Sequence, residues 1–219
     1  MQVGPTVRKF MPIAVERYTS RLYRSIFVDL EKVALVLCGV LPVNARVLDI
    51  GGGDGDLLNH LLERRQDLSV SMVDISPSVG KFVEPRHDHR VSLHPSTRIE
   101  QHASVTANSY DAALISDVMH HIPPAARQQF LADIHLTLRP GGCIFIKDVE
   151  PGHFISWLGF NCDRYLSGDK NVELISAAQA QVLARDSMPR HEAREIGLLS
   201  VNHPNYLVML KFESRETTG

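Results

Sequence analysis

Near the start of the chain, apolar positions recur at spacings of three and four. Leu22, Ile26, Phe27, Leu30, Val33, Ala34 and Leu37 share one stripe, which predicts a helix from about Val15 to Leu41, ended by Pro42. The period then changes. Arg46-Val47-Leu48-Asp49-Ile50, closed by Gly51-Gly52-Gly53-Asp54-Gly55, reads as a buried strand ending in a tight turn, and a helix from about Asp56 to Arg64 follows. Leu68 to Asp74 is a second strand, and Ser76-Pro77 offers an N-cap and first-turn proline for a further helix. Prolines, histidines and arginines break every period between Lys81 and Asn108, though one strand must pass through. Asp111 to Ile115 is the next strand. Pro123-Pro124 opens a helix with Phe130, Leu131, Ile134 and Leu138 on one face, and Arg139-Pro140-Gly141-Gly142 stops it. Cys143 to Asp148 is another strand, followed by an aromatic-rich segment (His153 to Tyr165), a helix near Val172 to Ala184, and strands Glu192 to Val201 and Tyr206 to Phe212.

Strands that read as continuous apolar runs and alternate with helices predict a parallel sheet covered on both faces. Only Asn202-His203-Pro204-Asn205 joins the last two strands, too short for a crossover, so they form an antiparallel hairpin at one edge. The 219 residues suit one domain, and a composition of 44% apolar and 22% charged residues is that of a globular fold. Lys plus Arg is 23 against 25 for Asp plus Glu, a balance that builds no strong positive field, so no nucleic-acid partner is expected. Cys38, Cys143 and Cys162 are odd in number, widely spaced and preceded by no secretory signal, and Val33 to Pro42 is far short of the ~20 apolar residues of a membrane span. A cytoplasmic protein with free thiols is expected.

In open α/β sheets ligands bind at the carboxyl ends of the strands, beside the point where strand order reverses. After the first strand the glycines let a ligand approach the backbone, and the next helix offers its N-terminal amides. After the second strand comes Asp74, 23 residues beyond Gly51, placed for an acid that accepts both hydroxyls of a ribose. The dinucleotide fingerprint G-x-G-x-x-G fails, because its third glycine falls on Asp56.

The residues resemble instead the class I S-adenosylmethionine-dependent methyltransferases. The first motif is Asp49-Ile50-Gly51-Gly52-Gly53-Asp54-Gly55; then come Val73-Asp74-Ile75-Ser76-Pro77, Ser109-Tyr110-Asp111 leading into Ile115-Ser116-Asp117-Val118-Met119-His120-His121-Ile122, and Leu138-Arg139-Pro140-Gly141-Gly142. The resemblance covers about Val47 to Asp148. It implies a Rossmann-like, doubly wound, mostly parallel seven-stranded sheet with an antiparallel terminal hairpin, and S-adenosyl-L-methionine as cofactor. It further implies that Asp49 and the backbone of Gly51 and Gly53 hold the methionyl end, that Asp74 binds the ribose, that Ile75 packs on adenine, and that Asp117 lies near the transferring methyl. The family's G-D-A-like signature after the third strand has no match between Val91 and Tyr110; His102-Ala103-Ser104 stands nearest to it by position.

Methyl transfer from a sulfonium is an in-line displacement, so catalysis is mostly positioning, with a base where the nucleophile must lose a proton. His120 and His121, after the fourth strand, are the candidate bases. His153, Phe154, Trp157, Phe160 and Tyr165, after the fifth, are candidates for an apolar acceptor pocket. Residues 1–42 would then be a helical lid in which Tyr18 or an arginine meets the cofactor. Residues 43–148 form the cofactor core, 149–190 the acceptor side and 191–219 the hairpin. His87-x-His89 with His94 reads as a solvated loop, and no metal is expected. The expected activity is methylation of a small, hydrophobic natural-product-like or lipid-like acceptor, with an oligomer left open. The competing readings are a nucleic-acid or protein methyltransferase and a non-catalytic cofactor-binding subunit. Against the first, Ser116-Asp117-Val118-Met119 stands where base-modifying enzymes carry Asn/Asp-Pro-Pro-aromatic.

Overall fold

A computed structural model of the chain describes residues 29–153, 172–187, 193–199 and 204–212. Asp29 caps the first described helix, α1 (Leu30–Val40), its carboxylate accepting from the Lys32 amide at 3.0 Å. The earlier part of the expected N-terminal helix, with Tyr18, lies outside the described residues. The succession continues with β1 (Arg46–Ile50), α2 (Asp56–Arg64), β2 (Ser69–Val73), β3 (Val91–His94), α3 (Ile99–Val105), β4 (Tyr110–Ser116), α4 (Pro124–Thr137), β5 (Leu138–Val149), α5 (Ala177–Asp186), β6 (Ala193–Leu199) and β7 (Asn205–Phe212).

The sheet order is β3-β2-β1-β4-β5-β7-β6. β1 pairs in parallel with β2 and with β4, and β7 runs antiparallel to both β5 and β6. The chain therefore builds outward from β1 to β3, then returns to lay β4 on the other side of β1, which opens a crevice at the carboxyl ends of β1 and β4. Adjacent side chains of a strand face opposite sides, and the buried residues divide accordingly. Val47, Leu114 and Phe145 face α1 and α2, whereas Leu48, Ile115, Ile144 and Ile146 face α4 and α5. This is the doubly wound, mostly parallel sheet with an antiparallel terminal pair that the apolar runs predict.

Two expectations are corrected. Ser76-Pro77 opens no α-helix, because Gly80 takes φ +69° and its amide donates to Gly53 O at 2.8 Å, while the Phe82 amide donates to Asp54 O at 2.8 Å. The segment is drawn back onto the glycine turn. Arg139-Pro140-Gly141-Gly142 does follow a helix, but as part of β5, which starts at Leu138 opposite Tyr110 and shifts register before Ala112 meets Cys143.

Candidate functional site

Three loops meet at the carboxyl edge. The first joins β1 to α2. The Gly51 amide donates to Val73 O at 2.8 Å, and Gly51, Gly53 and Gly55 take φ of +66°, +57° and +85°. A side chain on Gly51 would run into Val118, and one on Gly52 into the Asp49 carboxylate and the Met72 methyl. At Gly53 the nearest atom to an added Cβ is Gly51 O, 4.0 Å away, so the backbone there opens outward. Beneath the loop Asp49 is 3% exposed, and its carboxylate has no hydrogen-bond partner among the described residues. Burial, then the neighbouring Asp74, pushes its carboxyl up to about 7. An orphaned buried acid under an open glycine backbone fits the ammonium end of a ligand.

The second loop leaves β2. Asp74 Oδ2 accepts from the Gly53 amide at 3.1 Å and Oδ1 from the Ser76 amide at 2.8 Å. A carboxylate has about four lone-pair positions, so two remain, as a vicinal diol requires. Ile75 beside it is 74% exposed, an apolar side chain held out where a planar base could lie on it. These positions fit a nucleoside methyl donor.

The third loop leaves β4. Asp117 sits at φ +57°, with its amide donating to Lys147 O at 2.9 Å, and its carboxylate receives Lys147 Nζ at 2.6 Å on both oxygens. Val118 closes over Gly51, so this loop lies directly on the first. His120 is buried, with Nδ1 2.7 Å from Asp148 Oδ1 and its amide donating to Asp148 Oδ2 at 3.3 Å. A carboxylate oxygen accepts, so Nδ1 is the ring nitrogen that donates to Asp148. His121 is exposed, its ring 4.2 Å from that of His120. Asp49, Gly51, Gly53, Asp74, Ile75, Asp117 and the two histidines thus stand along one edge of the sheet.

His102, Ala103 and Ser104 are not part of this edge. They belong to α3, where His102 is 3% exposed, its Nε2 2.8 Å from the Tyr110 hydroxyl, and Ala103 is buried; the Ser104 hydroxyl donates to Gln101 O. The loop leaving β3 is Pro95 to Arg98, whose Ser96 and Thr97 amides donate to Ser76 O and Asp74 O. The edge strand β3 is four residues long and half exposed, too short to show a period, and that left its end, and the loop after it, unmarked in the sequence. Sequence reasoning also passed over Lys147, although a lysine directly after the run Cys143 to Ile146 and still within the strand was the signal. His153 is exposed, and Phe154, Trp157, Phe160 and Tyr165 lie outside the described residues. Among the described residues no three His, Cys, Asp or Glu gather as metal ligands, and no helix is long and apolar enough to cross a membrane.

A family profile for a methyltransferase domain matches residues 48–144. Spermidine synthase 1 of Hyoscyamus niger is 30% identical over 151 residues, which is 63% of this chain and 47% of that protein, so the chain spans about half the length of the curated relatives it matches. A SAM-dependent methyltransferase from Archaeoglobus fulgidus shares the fold with a TM-score of 0.65 at 16% identity, over 88% of this chain and 99% of that one. The 1,6-didemethyltoxoflavin-N1-methyltransferase of Burkholderia thailandensis, solved with 1,6-didemethyltoxoflavin and S-adenosylhomocysteine bound, gives 0.64 at 21% identity over 91% and 85%.

Proposed function

We propose, for a chain whose core is a class I S-adenosylmethionine-dependent methyltransferase domain, that the protein transfers the methyl group of S-adenosyl-L-methionine to a small, substantially hydrophobic acceptor in the cytoplasm. The observation that carries the reading is Asp49, a buried carboxylate with no hydrogen-bond partner among the described residues, beneath a glycine loop that opens outward at Gly53. When bound, the cofactor supplies an electrophilic methyl on a sulfonium. The protein's part is to hold and aim: Asp74 receives the ribose hydroxyls, Gly51 and Gly53 bring their backbone close, and Asp49 and Asp117 meet the methionyl end. His120, its tautomer set by Asp148, accepts the acceptor's proton at Nε2 where one must leave.

The aromatic-rich run Phe154 to Tyr165 supports the hydrophobic acceptor, because in sequence it follows β5, whose carboxyl end borders the crevice. The 1,6-didemethyltoxoflavin-N1-methyltransferase, solved with 1,6-didemethyltoxoflavin bound, supports by analogy an acceptor that is a small molecule. The test is incubation of metabolite pools with the protein and methyl-deuterated S-adenosylmethionine. Mass spectrometry should find an apolar product heavier by one labelled methyl. A labelled polar metabolite or macromolecule, with no apolar product, would refute the acceptor class.

A further inference from the structure

Lys147 stands where the core calls for an apolar side chain. It follows Cys143, Ile144, Phe145 and Ile146 in the middle of the sheet, between Ser116 of β4 and Leu207 of β7, and it is 1% exposed. Burying an ammonium costs several kcal/mol, and replacing a buried ion pair by apolar residues is often neutral or stabilising. Stability alone is a poor reason for a lysine there.

Its partner shows a different one. Asp117 is 39% exposed while Lys147 is sealed, so only the acid of this pair reaches the crevice. Asp117 also holds φ +57°, a conformation that costs a non-glycine residue and persists only where its surroundings enforce it. Lys147 supplies two of the contacts that hold it, the ammonium on the two carboxylate oxygens and the carbonyl that receives the Asp117 amide, and the Ser116 hydroxyl adds a long one at 3.5 Å to Oδ2. Next to Asp117, Val118 covers Gly51, so the loop that carries Asp117 lies directly on the glycine loop. The crevice already holds Asp49, whose carboxyl burial and then the neighbouring Asp74 push up, whereas the third acid, Asp117, has an ammonium directly on its carboxylate.

We propose that Lys147 is a positioning residue for the methyl-donor site: from inside the sheet it fixes Asp117 as a charge-compensated acceptor in the loop that lies on the glycine loop. The proposal rests on the methyltransferase reading above and adds to it the residue that acts through Asp117. It also predicts that Lys147 feels the ligand without touching it.

The probe is S-adenosylhomocysteine, titrated by calorimetry into the full chain and into Lys147→Met, Asp117→Asn and the double variant. Each single variant should bind about tenfold more weakly, and the double no more weakly than either, because both substitutions break one device. In nitrogen-15 spectra of the wild type, the ammonium signal absent from Lys147→Met should move when the probe is added. A structural pair would lower the thermal midpoint of the single variants, leave the affinity of the folded protein alone and leave that signal still. Wild-type affinity in Lys147→Met, or losses that multiply in the double variant, overturns the proposal. If Lys147→Met does not fold, the double variant, which has no unpaired charge, serves instead: a tenfold loss supports the proposal and wild-type affinity overturns it. If the wild type itself binds no probe, the methyltransferase reading falls, and this proposal with it.

Discussion

Asp49→Asn should stabilise the protein more at alkaline than at acid pH while costing it the cofactor. The carboxyl titrates near 7 in the fold against an ordinary value of 3.8, so between those values the native state holds a proton that the unfolded chain has released. Stability therefore falls as pH rises through that window. Relative to a carboxyl protonated in both states, the charge costs about 2 kcal/mol at pH 5 and about 4 kcal/mol at pH 8, from 1.36 kcal/mol per pKa unit. Asparagine has nearly the same shape and no charge. Whatever else the substitution changes is common to both pH values and cancels, leaving a difference of about 2 to 3 kcal/mol. For a chain of this size that is a gain in thermal midpoint roughly 5 to 10 °C larger at pH 8 than at pH 5. Calorimetric melting of both proteins at the two pH values measures it, with S-adenosylhomocysteine titrated in parallel. Equal shifts at pH 5 and pH 8 would refute the argument, since the carboxylate would then be neither desolvated nor strained by Asp74.

Asp74→Ala should weaken S-adenosylhomocysteine binding by about 2 kcal/mol through loss of charged hydrogen bonds, read by calorimetry. Gly53→Val should abolish that binding and cost about 1 to 2 kcal/mol of stability, because a β-branched residue at φ +57° is strained and fills the opening above the loop; thermal melting and titration separate the two effects. Asp148→Asn should leave cofactor affinity unchanged and slow turnover of any acceptor that must lose a proton, which single-turnover assays would show. Trp157→Ala should raise the KM for acceptor, a penalty of about 1 to 3 kcal/mol, with cofactor affinity unchanged; a lower melting point with unchanged KM would place the tryptophan in the core.

How far the sequence could be read followed from how each segment is buried. β1, β2, β4 and β5 are covered on both faces, so they show as apolar runs, and the glycines and acids that end them marked the crevice before any coordinates. Asp49 and Asp74 stood out as candidates because they sit just before and just after the end of such a run, and His120 because it follows β4 by four residues. β3 lies at the sheet edge and buries little, which left Val91 to His94 without a pattern and shifted attention to His102. The turn after Ser76 has helix-start chemistry. Its outcome was decided by hydrogen bonds from Gly80 and Phe82 to a loop some 27 residues earlier, which no local signal records. Lys147 and Asp117 are 30 residues apart, and a pair of charges says nothing in sequence about which one faces water.

Lys147 and Asp148 are neighbours on β5, yet each reaches a different partner across a different face of the sheet, Asp117 for one and His120 for the other. A slip of β5 by one residue during folding would exchange those faces. The slipped strand would still offer branched apolar residues to both sides, because Ile144, Phe145 and Ile146 are nearly interchangeable in greasiness. It would also point an ammonium at the imidazole and an acid at Asp117. Hydrophobic burial, which is indifferent to such an error, is thus backed by two opposed charges that reject it, and the dipeptide acts as a register key for the central strand on which the site is assembled.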